Sequence, residues 1–369
     1  MSATSYRQFR YHSPVMRAIL LAGGKGTRLR PLTLHTPKPV APIFDRPFLQ
    51  YQIDLLRQVP EIDEIVLSLN YQPHRIEEVF GDGSRFGVKL RYVVEPSPLG
   101  TGGAIKFAAG SHRDGPIVVF NGDVFTSVDL PAVIALHRER RATATIVLTP
   151  VENPTAYGLV ETDAQGNVRG FLEKPSPDEI TTDMINAGIY VLEPDSLDRI
   201  PADTVYSIER GYFPSLVQNK ETFVAYQYRG YWIDIGTPEK YRQAHRDIMD
   251  GHFPAPPFLS SIGQPVISPD ARIEPGAIIE GPCFIDMGTV VKAGATIGPY
   301  SVIGAGCDIA EGAHINGAIL WPGTCVGSHA RITGAIAGHG CRFGEHVEIG
   351  DDAMFGDQSV VTDYSRTHS

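Results

Sequence analysis

Cysteine is scarce in this chain, with four in 369 residues and none in a CxxC or similarly close pair. That scarcity argues against a disulfide scaffold and fits reduced thiols in the cytoplasm. Long hydrophobic runs are missing too. No stretch reaches 18 consecutive apolar residues, so no membrane-spanning helix is expected. The first fifteen residues carry Arg7 and Arg10 but no apolar segment, and residues 1–14 read as a flexible N-terminal extension rather than a signal peptide. Basic charge is not in excess. Lys and Arg total 32 against 42 Asp and Glu, a net charge of −10, which argues against a nucleic-acid partner because such binding needs a basic face. The run Arg138-Glu139-Arg140-Arg141 reads as the solvated end of a helix, where cations suit the dipole. The twelve histidines form no HxxH or HExxH spacing.

Glycine and aliphatic residues are present in a definite order, and the length suggests two domains. Residues 15–252 read as one domain, and over residues 15–150 short apolar runs alternate with helical patterns. Ala18–Leu21, Glu64–Leu69, Leu90–Val94, Ile117–Phe120 and Thr145–Leu148 read as strands, several hydrophobic at consecutive positions as in sheets covered on both faces. Phe48–Val59, Pro73–Phe80, Gly102–Ala109 and Leu130–Arg141 read as the intervening helices. This alternation predicts a parallel sheet with right-handed crossovers. From residue 155 the pattern is mixed, with strands at Gly158–Glu161, Val168–Glu173, Ala187–Leu192 and Val224–Tyr228. Thr237 and Pro238 then open a helix that runs to about Met249. Residues 253–265, beginning Phe253-Pro254-Ala255-Pro256-Pro257, read as a linker.

A hexapeptide repeat occupies residues 266–363. Aliphatic residues recur every six positions at Ile267, Ile273, Ile279, Ile285, Val291, Ile297, Ile303, Ile309 and Ile315, resume at Val326 and Ile332, and again at Phe343, Ile349, Phe355 and Val361. Four places on, the residue is usually small, as at Ala271, Cys283, Ala295, Cys307 and Ala330. This spacing predicts a left-handed parallel β-helix of about five coils, three hexads to a coil. Cys283 and Cys307 would then lie on neighbouring faces as buried thiols. His314, His329, His339 and His346 fall among the coils, on turns, and no acyl-transferase motif accompanies them.

The strongest motif follows the first strand: Leu21-Ala22-Gly23-Gly24-Lys25-Gly26-Thr27-Arg28-Leu29-Arg30-Pro31-Leu32-Thr33, closed by Pro37-Lys38-Pro39. Glycines directly after a strand let backbone N–H groups approach phosphate oxygens, and Arg28 and Lys38 add fixed positive charge. The loop is neither a Walker A motif, lacking GK[ST] at the required spacing, nor a dinucleotide fingerprint, with Leu29 in place of the third glycine. Further blocks follow at Glu95–Gly103 (EPSPLGTGG), Asn121-Gly122-Asp123, Tyr157-Gly158, Phe171–Pro175 (FLEKP), Asn186–Tyr190 (NAGIY), Ser207–Leu216 (SIERGYFPSL) and Trp232–Pro238 (WIDIGTP).

With these blocks the chain resembles the sugar-1-phosphate nucleotidyltransferases over nearly its whole length. The resemblance implies an α/β fold, a Rossmann-like mixed sheet followed by the β-helix, and transfer of a nucleotidyl group from a nucleoside triphosphate to a sugar 1-phosphate with release of pyrophosphate. It implies that Leu21, Ala22, Gly23, Gly24, Gly26, Thr27, Asn121 and Gly122 bind the nucleotide and that Leu99, Gly100 and Thr101 lie against its base. It places Gly158, Glu173, Lys174 and Asn186 on the sugar phosphate and Mg²⁺ on Asp123 and Asp234. Arg28 and Lys38 are assigned to the triphosphate and the departing pyrophosphate, and Lys174 to the attacking phosphate. Within the family the blocks are most similar to the mannose-1-phosphate guanylyltransferases with a hexapeptide tail. That likeness implies GTP and mannose 1-phosphate as substrates. Enzymes acting on glucose or heptose 1-phosphate with UTP, dTTP, ATP or GTP share many of the blocks, and a non-catalytic regulatory relative is a further alternative. The coils imply a homo-oligomer, a dimer or tetramer.

Overall fold

The computed structural model describes residues 15–367, so the expected extension over residues 1–14 lies outside the described residues. The amino-terminal part is a three-layer α/β/α unit. Its strands are β1 (Met16–Leu21), β2 (Ile62–Leu69), β3 (Leu90–Val94), β4 (Ile117–Asn121), β5 (Val124–Thr126), β6 (Ala144–Pro150), β7 (Gly158–Thr162), β8 (Val168–Glu173), β9 (Met184–Leu192), β10 (Phe223–Gln227) and β11 (Trp232–Asp234). Its helices are α1 (Phe48–Leu56), α2 (Pro73–Phe80), α3 (Gly100–Ala109), α4 (Leu130–Glu139), α5 (Phe213–Gln218) and α6 (Pro238–Met249).

The main sheet runs β8-β7-β9-β4-β1-β2-β3, with β6 and β10 branching from β9. Strands β3, β2, β1 and β4 are parallel, as the alternation with helices predicts. Strand β6 departs from that expectation. It pairs antiparallel with β9 and parallel with β10 rather than joining the parallel core, because β9 inserts against β4 first. Successive residues of the central strands face opposite layers. Ala18 and Leu20 pack with Leu49 and Ile53 of α1 and Ile76 of α2, whereas Ile19 packs with Ile105 of α3 and Phe213 of α5. Both faces are apolar, which is why these strands read as continuous hydrophobic runs.

Beyond α6 the chain winds into three stacked parallel sheets of six, six and five short strands. The aliphatic residues named by the repeat occupy the interior, where Ile285, Val291, Ile297, Ile303 and Ile309 are fully buried. The two breaks in the hexad rhythm have a structural cause. The interior positions between them are Leu320 and Ala337, each five residues after the preceding one. The corners before them are shortened by one residue and turn on Gly317 and Gly334, both at φ +60. A left-handed corner this tight suits glycine, which has no Cβ to clash. At another corner His329, His346 and Tyr364 stack with ring centroids 5.1 Å apart.

All four cysteines are free. Cys283 and Cys307 are buried on neighbouring faces, and burial pushes each thiol up to about 12. Among the described residues no helix is long and apolar enough to cross a membrane.

The two units share one apolar seam. On one face of the β-helix the outward positions are Phe284, Val302, Ile319 and Ile336, and these pack with Trp321 against Phe44, Phe48, Tyr241 and Ile248. The other two faces carry Arg272, Asp308 and Arg342, or His314, Arg331 and Glu348, at the matching outward positions. One face is therefore built to be covered, and α6 with the segment after β1 covers it.

Candidate active site

The C-terminal ends of β1 and β4 form the floor, the edge at which open α/β sheets bind ligands. Gly122 donates its N–H to the Leu21 carbonyl at 2.9 Å, and a Cβ there would lie 2.3 Å from that oxygen. Only glycine allows β1 and β4 to close so tightly. The loop then runs through Ala22, Gly23 and Gly24 to Gly26 in the left-handed region at φ +60, whose carbonyl accepts from the Thr33 hydroxyl at 2.8 Å. A short 3₁₀ turn, Thr27–Leu29, carries Arg28 across to the WIDIGTP block, where a Cβ on Gly236 would lie 2.6 Å from the guanidinium. Lys38 opens a further 3₁₀ turn, Lys38–Val40, and its ammonium lies 3.2 Å from Asp123 Oδ2. Burial draws the Lys38 pKa below the usual lysine range, and Asp123 opposes that shift. Gly24, Gly26, Thr27, Arg28, Lys38, Asn121, Gly122 and Asp123 together line a cavity of about 340 Å³.

Asp123 leads into β5, which pairs antiparallel with β11 so that Asp234 stands opposite Val124. The Ile235 N–H donates to the Asp123 carbonyl at 2.9 Å. The two aspartates, from blocks far apart in the chain, are thereby brought to the same edge of the sheet. Asp234 accepts from the Tyr157 hydroxyl at 2.8 Å and from the Lys240 ammonium. Burial would lower the Lys240 pKa, but its bonds to Asp234 and Tyr157 outweigh that and raise it. Among the described residues no group of three or more His, Cys, Asp or Glu could hold a metal ion. The protein thus offers two hard carboxylates, with the buried Asn121 Oδ1 unpartnered among the described residues at the same edge. That donor set fits Mg²⁺, which takes one or two carboxylates and completes its shell with water and substrate phosphates.

A second cavity, of about 410 Å³, shares Leu21, Gly24 and Thr101 with the first and is walled by Asn70, Glu95, Pro98 and Gly100. Glu95 is held by the Ser68 hydroxyl at 3.0 Å and the Leu99 N–H at 3.0 Å. The glycines after Leu99 admit another segment. Gly102 and Gly103 donate to the Tyr206 carbonyl at 2.8 and 3.1 Å, and a Cβ on Gly103 would lie 2.6 Å from the Thr204 carbonyl oxygen. Leu99 itself is buried and does not line the cavity, whereas Gly100 and Thr101 do. The Thr101 hydroxyl donates to Glu209 at 2.7 Å and accepts from the Ile208 N–H at 3.0 Å.

The blocks expected to bind the sugar phosphate lie on β7, β8 and β9 of the main sheet, and Tyr157 just before β7 reaches Asp234. Glu173 pairs with Gly158 across β8 and β7, and a Cβ on Gly158 would lie 2.9 Å from the Glu173 carboxylate. Burial and then Glu209 raise the Glu173 pKa. Lys174 adopts φ +53 and donates its N–H to the Tyr157 carbonyl at 2.9 Å. A left-handed non-glycine residue is the kind of local strain that clusters at functional sites. Asn186 sits at the bulge of β9. Its Oδ1 accepts from the Gly188 N–H at 2.9 Å and its Nδ2 donates to the Tyr190 hydroxyl at 2.9 Å, so both ends of its amide are engaged within the protein.

Arg28, Lys38 and Asp123 thus share one cavity, Asp234 adjoins it, and Tyr157 links Asp234 to Lys174. Three residues have no role in the sequence reading. Glu209 lies in the SIERGY block, which folds as a π-helix over Ile208–Tyr212, an element frequent at functional sites. Lys240 and Tyr157 reach Asp234 only through the tertiary fold, and no sequence spacing points to either.

A nucleotidyl transferase family profile matches residues 17–251, and a GMPPB C-terminal domain profile matches residues 278–367. The chain is 39% identical over 310 residues to a mannose-1-phosphate guanylyltransferase of Mycobacterium tuberculosis, covering 84% of this chain and 80% of that protein. It is 34% identical to a UTP–glucose-1-phosphate uridylyltransferase of Synechocystis, with 86% of each chain covered. It is 33% identical to a probable mannose-1-phosphate guanylyltransferase of rice, covering 94% of this chain and 93% of that one. Among solved structures, HddC from Yersinia pseudotuberculosis, also solved in complex with GMP-PN, superposes with a TM-score of 0.54 at 30% identity, over 63% of this chain and 99% of that one. With that match, and with charged groups gathered on a glycine-floored cavity at the sheet edge, the chain belongs to the nucleotidyl transferase family of enzymes.

Proposed function

We propose that this enzyme joins GTP and mannose 1-phosphate to give GDP-mannose and pyrophosphate. The observation that carries the reading is the convergence of Arg28, Lys38 and Asp123 on one cavity, with Asp234 at its edge. The likeness to guanylyltransferases over most of the chain supports the choice of substrates.

A sugar-phosphate oxygen attacks the α-phosphorus in line and pyrophosphate leaves on the opposite side. The nucleophile is already an anion, so no general base is required. The barrier is the approach of two polyanions, and it is lowered by positioning and charge neutralisation. Arg28 and Lys38 bind the triphosphate and steady the departing pyrophosphate. The backbone at Ala22, Gly23, Gly24, Gly26 and Thr27 lets the phosphates lie close, and the second cavity takes the base between Asn70, Glu95, Gly100 and Thr101. Lys174 holds the attacking phosphate, with Gly158, Glu173 and the neighbouring Glu209 toward the sugar. Asn186 supports this wall through the β9 bulge. Asp123 and Asp234 would hold Mg²⁺, which would supply neutralisation of phosphate charge.

Pyrophosphate release tests the reading with five nucleoside triphosphates against mannose, glucose and heptose 1-phosphates. GTP with mannose 1-phosphate should give the highest kcat/KM by about 10-fold or more. Highest turnover with UTP and glucose 1-phosphate would instead assign the uridylyltransferase activity named for the Synechocystis relative. No release with any pair would identify a non-catalytic sensor.

We further infer self-association through the β-helix. Leu259, Ile262, Ile278 and Met287 stand exposed around its first coils, an apolar end suited to a second copy. Light scattering at micromolar concentration should give the mass of a dimer or tetramer; a monomer mass would refute this.

A further inference from the structure

The β-helix does more than cover an apolar face, because its last coils touch the segment that carries Lys38. Asp357 projects from a corner of the coil, and its carboxylate is bound at both oxygens. Oδ1 accepts the His339 N–H at 2.9 Å, and Oδ2 accepts the Thr36 hydroxyl at 3.0 Å. Thr36 is itself buried. One residue before Asp357, Gly356 lies against Pro31, where a Cβ would come 3.2 Å from the proline ring. These contacts join two residues 321 positions apart and reach both ends of the segment 31–36.

Thr36 is followed by Pro37, Lys38 and Pro39. Each proline fixes its own φ and restricts the residue before it, so few soft torsions separate the Thr36 backbone from Lys38. A cavity of about 650 Å³ opens between the segment, α2 and the coil, bounded by His35, Arg75, Glu78 and His339 as well as by Thr36 and Asp357. Tyr71 and Gln72 hold the segment from the other side through the Thr33 and Leu34 carbonyls, and the Thr36–Asp357 bond ties it to the coil at the edge of this cavity.

We propose that Asp357 is a positioning residue for nucleotidyl transfer. Through Thr36 it sets where the Lys38 ammonium stands over the phosphate cavity, and the β-helix thereby contributes to the chemistry of the other unit. This rests on the assignment of Lys38 to the triphosphate. The link acts on one substrate only, since Glu173 and Lys174 stand at the end of β8, the terminal strand of the main sheet, and not on the Lys38 segment.

The test compares Thr36→Val, Thr36→Ser, Asp357→Ala and the Thr36→Val/Asp357→Ala double variant in full-length protein, by pyrophosphate release with the best substrate pair of the parent enzyme. Thr36→Val should lower kcat by about 10-fold and raise KM for the triphosphate by about as much, because an ångström of misplacement costs up to about 100-fold. KM for the sugar 1-phosphate should stay within about 2-fold, a split that general loss of folded enzyme does not produce. Thr36→Ser keeps the hydroxyl and should retain parental kinetics. The double variant should be no worse than the poorer single variant, since both remove the same bond. Parental kinetics for Thr36→Val, equal rises in both KM values, or multiplying effects in the double variant would each overturn the proposal. A parent enzyme that releases no pyrophosphate with any pair would instead refute the functional reading beneath it.

Discussion

Asp234→Asn should lower kcat by about 10³ at saturating Mg²⁺ while leaving the fold intact, the scale seen when one preorganised charge is removed from a transition-state site. The substitution keeps the shape of the side chain but removes its charge. It leaves the Lys240 ammonium without its carboxylate partner and converts an acceptor shared with Tyr157 into an amide. The structural cost should be modest, about 1–3 kcal/mol, because the amide still accepts from Tyr157 while the part-buried Lys240 ammonium loses its counter-charge. Pyrophosphate release reads the first effect and thermal unfolding the second. Activity within about 10-fold of the parent would remove Asp234 from the reaction. A large fall in melting temperature would make its role structural.

The largest effect on stability is expected from Trp321→Ala. Trp321 is buried at the seam between the two units, and its indole N–H donates to the Tyr241 hydroxyl at 3.0 Å. That hydroxyl in turn donates to the Pro42 carbonyl, so one short chain of hydrogen bonds ties the β-helix to α6 and to the segment after β1. Truncation leaves a cavity among Tyr241, Ile319 and Ile336, and aromatic-to-alanine changes of this kind cost about 3–5 kcal/mol. Denaturant unfolding measures it, and a loss below about 1 kcal/mol would show that the seam collapses around the gap without penalty. Trp321→Phe, which fills most of the volume but lacks the N–H, separates packing from the hydrogen bond.

Much of the architecture was legible because its signals are local. The parallel strands β1 to β4 are hydrophobic on both faces and alternate with helices, which the chain displays residue by residue. The β-helix is more legible still, since every coil repeats the same demand for an aliphatic interior residue and a small one at the corner. The two shortened corners at Gly317 and Gly334 were missed because a five-residue step breaks the count of six without changing the fold. The place of β6 was missed for a different reason. Strand order depends on which edges meet, and nothing within Ala144–Pro150 tells it to pair with β9 instead of β4. The covered face of the β-helix did leave a trace in Phe284, Val302, Ile319 and Ile336, apolar on successive coils where the other faces mix charged residues with Ile278, Val290 and Val360, and reading outward positions separately for each face would have found it.

The candidate site divides in the same way. Its glycine loop, Arg28, Lys38 and the two aspartates belong to compact blocks whose residue types already suit phosphate and metal. The pairings of Lys240 with Asp234, of Glu209 with Thr101 and of Asp357 with Thr36 are written in no single block.

The chain by itself determined its two kinds of structure and the chemistry of its polar blocks, because periodicity, glycine placement and residue type act over a few neighbouring residues. Only the tertiary structure decided which charges meet, that Thr101 spends its hydroxyl on Glu209, and that the last coils brace the Lys38 segment. Those contacts join residues up to 321 positions apart, and their distances follow from how the sheet, α6 and the coils pack, which no local pattern encodes.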